Sequence, residues 1–236
     1  MQSNIFLDFL YTLAFLMKRS LLGVKGFSQL GEDQVIMKFV PEGEGSFLDI
    51  GAGHPVRGSN TFQLYRRGWR GLAVDPLNSR LNQFKLWRKK DSFKLAAVGS
   101  QASICEFFHL FPEEYSTLDE IRAKFLVESG LAEICGTYQI PIVPVSSWEL
   151  STMPMNPFVL SLDIEGYDLE VLKSLNWSRF APRVICVEEI EKGRVSETES
   201  FLVDHRYSKV WRYEISAIYV HRDYLDSMTS EDISAH

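Results

Sequence analysis

The stretch Phe47-Leu-Asp-Ile-Gly-Ala-Gly-His54 constrains this chain more than any other. An apolar run ends in an acid and passes into a turn with two glycines. That pattern reads as a buried strand feeding a turn where the backbone comes close to a ligand. A second apolar run, 70–74, ends at Asp75-Pro76. Strand, glycine turn, helix, strand and terminal acid together point to a nucleotide-type cofactor over the carboxyl ends of a parallel sheet.

The remaining chain extends the alternation. Strands are predicted at 46–50, 70–74, 93–98, 158–164 and 184–188, and helices from 62 to 68 and over 77–86, 167–175 and 197–205. Such alternation predicts an α/β sheet covered on both faces. Residues 104–110 are β-like, and 117–128 form a charged helix suited to lie over the site. Residues 140–145 carry Pro141 and Pro144 and are expected as an edge strand. Residues 209–213 and 218–221 are expected as a C-terminal hairpin, with a frayed tail from Ser227.

A chain of 236 residues with 45% hydrophobic and 24% charged residues fits one soluble globular domain with an appendage. Net charge is −6, and the compact basic clusters are only Arg66-Arg67 and Arg88-Lys89-Lys90. That is too little to neutralise a phosphate backbone, so no nucleic-acid partner is expected. Cys105, Cys135 and Cys186 lie far apart, and the five histidines show no metal-ligand spacing. No zinc or disulfide framework follows, and a cytoplasmic setting does.

Residues 1–26 form the appendage and 27–236 the main domain, with Gly23 and Gly26 between them. The apolar run 5–17 is shorter than the about 20 residues a membrane span needs. It lacks the preceding positive charge of a signal peptide. Asp8 and Thr12 fall on one helical face. Two readings stand: a helix packed on the domain or forming a homodimer, or a helix lying peripherally at the cytoplasmic face of a membrane with Lys18, Arg19 and Lys25 near headgroups.

Three glycine-loop readings compete. A phosphate-binding P-loop needs a lysine that 51–58 lacks. A dinucleotide fingerprint needs a third glycine, where this chain has His54-Pro55-Val56. S-adenosylmethionine is cationic, so Asp49 beside its methionine amine and Asp75 on its ribose hydroxyls make chemical sense without any phosphate cradle.

Further segments bear on this choice. Ser28-Gln-Leu-Gly-Glu-Asp33, Asp49-Ile-Gly-Ala-Gly-His-Pro55, Ser59-Asn-Thr61, Gly68-Trp-Arg-Gly71 with Asp75-Pro76, and Ser161-Leu-Asp-Ile-Glu-Gly-Tyr-Asp-Leu-Glu-Val-Leu-Lys173 resemble the FkbM family of methyltransferases. The resemblance runs in order from about residue 27 to about 219. It implies the Rossmann-like class I methyltransferase fold: a mostly parallel twisted sheet with helices on both faces and a C-terminal antiparallel hairpin. It also implies methyl transfer from S-adenosylmethionine to hydroxyls, including those of sugars and polyketides. Gly53 stands where the family often carries Asn or His, which brings the loop closer to the general methyltransferase pattern.

The expected cofactor residues are Asp49, Gly51, Gly53, Asn60, Asp75, Pro76 and Ala97, with Ala97 and Val98 flanking the adenine. Asp163 and Glu165 sit two apart at the end of a buried strand and point to one side, as catalytic carboxylates would. Glu165 and Asp168 have a helix-capping alternative. Glu188 and Glu189 would complete a cluster able to take Mg²⁺ through oxygen ligands, although no dedicated metal ligands are assigned. His54 is either a base or a shaper of its turn, and Ser59, Asn60 and Thr61 have helix capping as their alternative. Tyr115, Ser116 and Thr117 are placed near the acceptor. The expected function is O-methylation of a hydroxyl on a sugar or glycan-type acceptor. The alternatives are an NAD-linked oxidoreductase or epimerase, and a non-catalytic scaffold.

Overall fold

The computed structural model describes residues 5–147, 157–164, 166–178, 180–189 and 195–228. Ten strands occur among them: β1 (Ser46–Ile50), β2 (Arg70–Asp75), β3 (Ser92–Leu95), β4 (Ala97–Gly99), β5 (Ser103–Phe111), β6 (Glu133–Pro144), β7 (Val159–Leu162), β8 (Val184–Glu188), β9 (Tyr207–Tyr213) and β10 (Ser216–His221). The helices are α1 (Ile5–Leu22), α2 (Glu32–Ile36), α3 (Phe62–Arg66), α4 (Asn78–Trp87), α5 (Glu120–Glu128), α6 (Asp168–Ser174), α7 (Glu197–Asp204) and α8 (Arg222–Leu225).

A seven-stranded sheet runs in the order β3-β2-β1-β7-β8-β10-β9. β1 pairs in parallel with β2 and β7, and β7 in parallel with β8, while β10 runs antiparallel to both β8 and β9. This is the Rossmann-like methyltransferase order with its terminal hairpin. The pleat divides the core in two. Leu48, Ile50, Leu160, Leu162, Ile185 and Val187 face one layer, with Val171 and Leu172 of α6 and Leu202 of α7. Phe47, Val159, Val184, Cys186, Ile218 and Val220 face the other, with Ile36 of α2, Leu64 of α3 and Trp69. A strand with helices over both faces has no polar side to alternate with, so its sequence is apolar throughout.

Two strand expectations change. The predicted 93–98 strand divides at Ala96: β3 stays with β2 up to the Asp75–Leu95 pair, and β4 leaves to join a second sheet in the order β4-β6-β5. The predicted edge strand at 140–145 is the centre of that second sheet and begins at Glu133. Its prolines are tolerated because neither lies between two neighbours. Pro141 pairs only with Ile104 of β5, and Pro144 only with Gly99 of β4. Helix α5 packs on this sheet through Ala123 and Leu126, against Phe108 and Leu110.

The N-terminal run forms a helix longer than expected, to Leu22. Phe15 and Leu16 pack with Phe27, Val56 and Phe62, and Phe9 stacks on Trp87 at 5.3 Å. Among the described residues, no helix is long and apolar enough to cross a membrane. The expected frayed tail lies outside the described residues from 229 onward.

Candidate active site

The chain builds outward from β1 to β2 and β3, then returns to β7 on the other side of β1. Ligands of open α/β sheets bind at such a reversal, beyond the carboxyl ends of the strands. A cavity of about 340 Å³ lies there, between the ends of β1, β2 and β7 below and the second sheet above. Its floor is 51–54, 75–77, 96–98 and 163–164, and its roof includes Phe107, Glu113, Ser116 and Thr117.

The glycine turn is held from two sides. The amides of Gly51 and Ala52 donate to the Val74 carbonyl at 2.9 and 3.1 Å. Gly51 has φ 74°, and a methyl group on it would overlap the carbonyl oxygen of Asp163. Only glycine permits this approach of the β1 and β7 turns. Gly53 has φ 55°, with no atom near the position its Cβ would take. Its amide donates to Asp75 Oδ2 at 2.9 Å, while Leu77 N donates to Asp75 Oδ1 at 2.8 Å. A carboxylate has about four acceptor positions, so Asp75 keeps capacity for a ligand. Burial raises its pKa and Arg80 opposes the rise.

Asp163 follows β7, and its amide donates to the Ile50 carbonyl at 3.0 Å. Asp163 is exposed where it lines the cavity. Desolvation by the protein atoms on its other sides, with the carboxylates of Glu188, Asp49 and Glu32, pushes the Asp163 carboxyl up to about 7. Asp168, buried in the first turn of α6, is likewise raised well above the ordinary range by burial, Asp163 and Glu188. Glu165 lies outside the described residues.

His54 lines the cavity wall, but both its ring nitrogens are engaged within the protein. Nδ1 accepts from Val56 N and Arg57 N, each at 3.0 Å. That assigns the proton to Nε2, which lies 3.2 Å from Thr12 Oγ1 and 3.4 Å from Asp8 Oδ2. Burial lowers its pKa and Asp8 opposes. The ring shapes the turn and ties it to α1; it offers no free lone pair to a substrate proton. Burial also pushes Asp8 up, yet His54 and Arg57 outweigh it and hold Asp8 below its usual range.

Two expected cofactor residues face elsewhere. Asp49 sits on the pleat face opposite Leu48 and Ile50, so its buried carboxylate meets Thr61 Oγ1 and lies 3.9 Å from Arg88 Nη1. Asn60 Nδ2 donates to Ser161 Oγ at 3.3 Å, on β7. Both side chains knit α3 and α4 to the sheet beneath the cavity. Ser59 takes the capping role, its Oγ accepting from Thr61 N and Phe62 N. Gly51, Gly53, Asp75, Pro76 and Ala97 do line the cavity.

The carboxylate cluster is smaller than expected. Glu189 turns to the hairpin, accepting from Tyr219 Oη and from Lys209 Nζ at 2.8 Å. Among the described residues no three His, Cys, Asp or Glu side chains are arranged to hold a metal ion, so Mg²⁺ has no ligand set there.

Sequence reading missed two arginines on the cavity wall. Arg80 is buried, with Nη1 3.1 Å from Glu113 Oε2 and 3.0 Å from Gln83 Oε1, and its Nε has no partner among the described residues. Arg57 binds Asp8 Oδ1 through Nη2 at 2.5 Å and also leaves a buried Nε without a partner among the described residues. Helix α4 has no apolar stripe to reveal which side is inward, so nothing distinguished Arg80. Gln29 had a signal, since it belongs to the Ser28–Asp33 motif. Ser28 Oγ donates to Asp33 Oδ1 at 2.8 Å, and Asp33 Oδ2 accepts from Phe27 N at 2.5 Å. Glu32 accepts from Leu30 N and from Ser216 Oγ, each at 2.8 Å. The motif is held by its own bonds and by Phe27 and Ser216, and it offers Gln29 to the cavity.

The sheet order and the cavity at its reversal define a Rossmann-like methyltransferase domain. The methyltransferase FkbM domain model matches residues 49–213, and the chain belongs to that family. A TehB-like SAM-dependent methyltransferase from Corynebacterium glutamicum is similar at 11% identity and TM-score 0.44, covering 89% of this chain and 98% of that one. Precorrin-6y C5,15-methyltransferase from Geobacter metallireducens is similar at 14% identity and TM-score 0.44, covering 80% and 85%. The C-terminal domain of precorrin-6Y C5,15-methyltransferase from Rhodobacter capsulatus gives 11% and 0.41, with the same coverages. No curated protein sequence matches the chain.

Proposed function

We propose that this protein transfers a methyl group from S-adenosylmethionine to a hydroxyl of a sugar or glycan-type acceptor. The observation that carries the reading is Asp163: a carboxyl with pKa near 7, open to the cavity, against the Gly51 turn.

The cavity residues fit the methyl donor. Gly53 leaves open space beside the turn, Asp75 retains acceptor capacity for ribose hydroxyls, and Ala97 and Val98 offer apolar surface for adenine. The unpartnered Nε groups of Arg57 and Arg80 suit a carboxylate or hydroxyl oxygen. When bound, S-adenosylmethionine supplies an electrophilic methyl carbon and leaves as S-adenosylhomocysteine.

The protein's own part is alignment and proton removal. The second sheet covers the cavity and limits water, while the fixed β1 and β7 turns orient the acceptor, the largest share of catalysis in a displacement of this kind. Asp163 takes the hydroxyl proton as the oxygen gains its methyl. A carboxylate near pKa 7 is a far better base than an ordinary one and is still ionised in half the molecules at that pH.

Calorimetric titration with S-adenosylmethionine and S-adenosylhomocysteine tests the donor, with Asp75→Ala binding at least about tenfold more weakly through loss of charged hydrogen bonds. Absence of binding to folded protein would sink the reading. Tritiated methyl transfer into fractionated glycans tests the acceptor. Label that survives mild alkali is on an ether oxygen; label released as methanol came from an ester and would refute hydroxyl methylation.

A further inference from the structure

We propose that the outward face of α1, with the basic flank beside it, is a docking surface for an anionic lipid interface. This does not depend on the methyl-donor reading.

The helix is amphipathic in the reverse sense to one on a water-soluble surface. Three of its polar groups turn to the protein: Asp8 meets Arg57, Thr12 is fully buried against His54, and Arg19 Nη2 donates to the Lys25 carbonyl at 2.8 Å. Its apolar groups point outward: Leu10, Tyr11, Leu13, Met17, Leu21 and Leu22 are all exposed, Tyr11 to 69% and Leu21 to 83%. Isolated exposed leucines are ordinary, but a contiguous apolar helix face is not.

Charge distinguishes the occupants. The protein is acidic overall, at −6, yet no acid occurs between Phe9 and Gly31 or between Pro55 and Val74, nor between Pro76 and Lys90. These are the segments that pack together on this flank, through Phe9 on Trp87 and Phe15 with Phe27 and Phe62. Lys18, Lys25, Lys85, Lys89 and Lys90 are exposed there. Two copies meeting symmetrically through this face would set like charges against each other. An anionic bilayer matches both parts, with acyl chains against the apolar residues and headgroups against the lysines.

The test is sedimentation of the full-length protein with phosphatidylcholine vesicles, with and without phosphatidylglycerol, beside light scattering for its mass. A monomer that co-sediments only with the anionic vesicles, and less as salt rises, is expected. Tyr11→Glu with Leu21→Glu should abolish binding; both side chains are outward, and circular dichroism checks the fold. Lys18→Gln, Lys25→Gln and Lys89→Gln should each weaken it roughly fivefold. A protein left in the supernatant would overturn the proposal. So would equal binding to neutral vesicles, or a dimer that the glutamate variants split.

Discussion

The close approach of the β1 and β7 turns can be measured with two alanine substitutions. Gly51 and Gly53 both have positive φ, so alanine at either costs about 1–2 kcal/mol of left-handed backbone strain. Only Gly51 also meets protein: its methyl would overlap the Asp163 carbonyl oxygen, whereas the position beside Gly53 is empty. Forcing a methyl into packed surroundings costs roughly another 1–3 kcal/mol. Gly51→Ala is thus expected to lose about 2–5 kcal/mol and Gly53→Ala about 1–2. Against a typical stability of about 5–15 kcal/mol, both variants should be folded enough to compare. Urea unfolding gives the comparison as a midpoint difference at unchanged slope. Ligand binding should rank differently from stability. Gly53→Ala puts its methyl into open space at the ligand turn and should weaken the methyl donor with little effect on the fold. Equal midpoints for the two variants would refute the close approach.

Asp163→Asn should lower turnover by about 10²–10⁴-fold with donor binding retained, and wild-type turnover should rise with pH through about 7; unchanged turnover removes Asp163 from catalysis. The same raised pKa has a stability signature. The folded state holds a proton that the unfolded state releases between 3.8 and about 7, so this carboxyl lowers stability as pH rises through that window. Asp163→Asn should therefore be more stable than wild type above pH 7, with the gap closing towards pH 4, and a constant gap would show that the carboxyl is not perturbed. His54→Ala strands the amides of Val56 and Arg57 and frees Thr12, leaving Asp8 on Arg57 alone, at about 1–3 kcal/mol. Faster tryptic cleavage at Lys18 is the readout, and an unchanged rate would mean that the Asp8–Arg57 pair and the aromatic contacts hold α1 without His54.

The main sheet was legible because its central strands are apolar on both faces and each ends in a glycine or an acid. The glycine turn, Asp75 and Asp163 were legible because each falls where a strand must stop. Asp49 misled because proximity in sequence was read as proximity in space; the pleat alternates, and Asp49 points the other way from Leu48 and Ile50 into the Thr61–Arg88 network. The second sheet was only half visible. Its prolines look like edge signals, and their tolerance depends on a stagger between β4 and β5 that no local pattern encodes. Arg57 and Arg80 were hidden because their partners, Asp8 and Glu113, are far away in the chain.

The bond from Ser216 to Glu32 joins residues 184 positions apart and sets the order of events during synthesis. Among the described strands β10 is the last to be synthesised, yet it lies inside the sheet between β8 and β9. Until it emerges, β9 has no place to pair and the Gln29 loop lacks its remote anchor. Local helices and the β1–β2 unit can form early, but the longest-range closure comes at the end. The main sheet therefore closes only after β10 is made, well after every residue that lines the cavity, the last of which is Ile164.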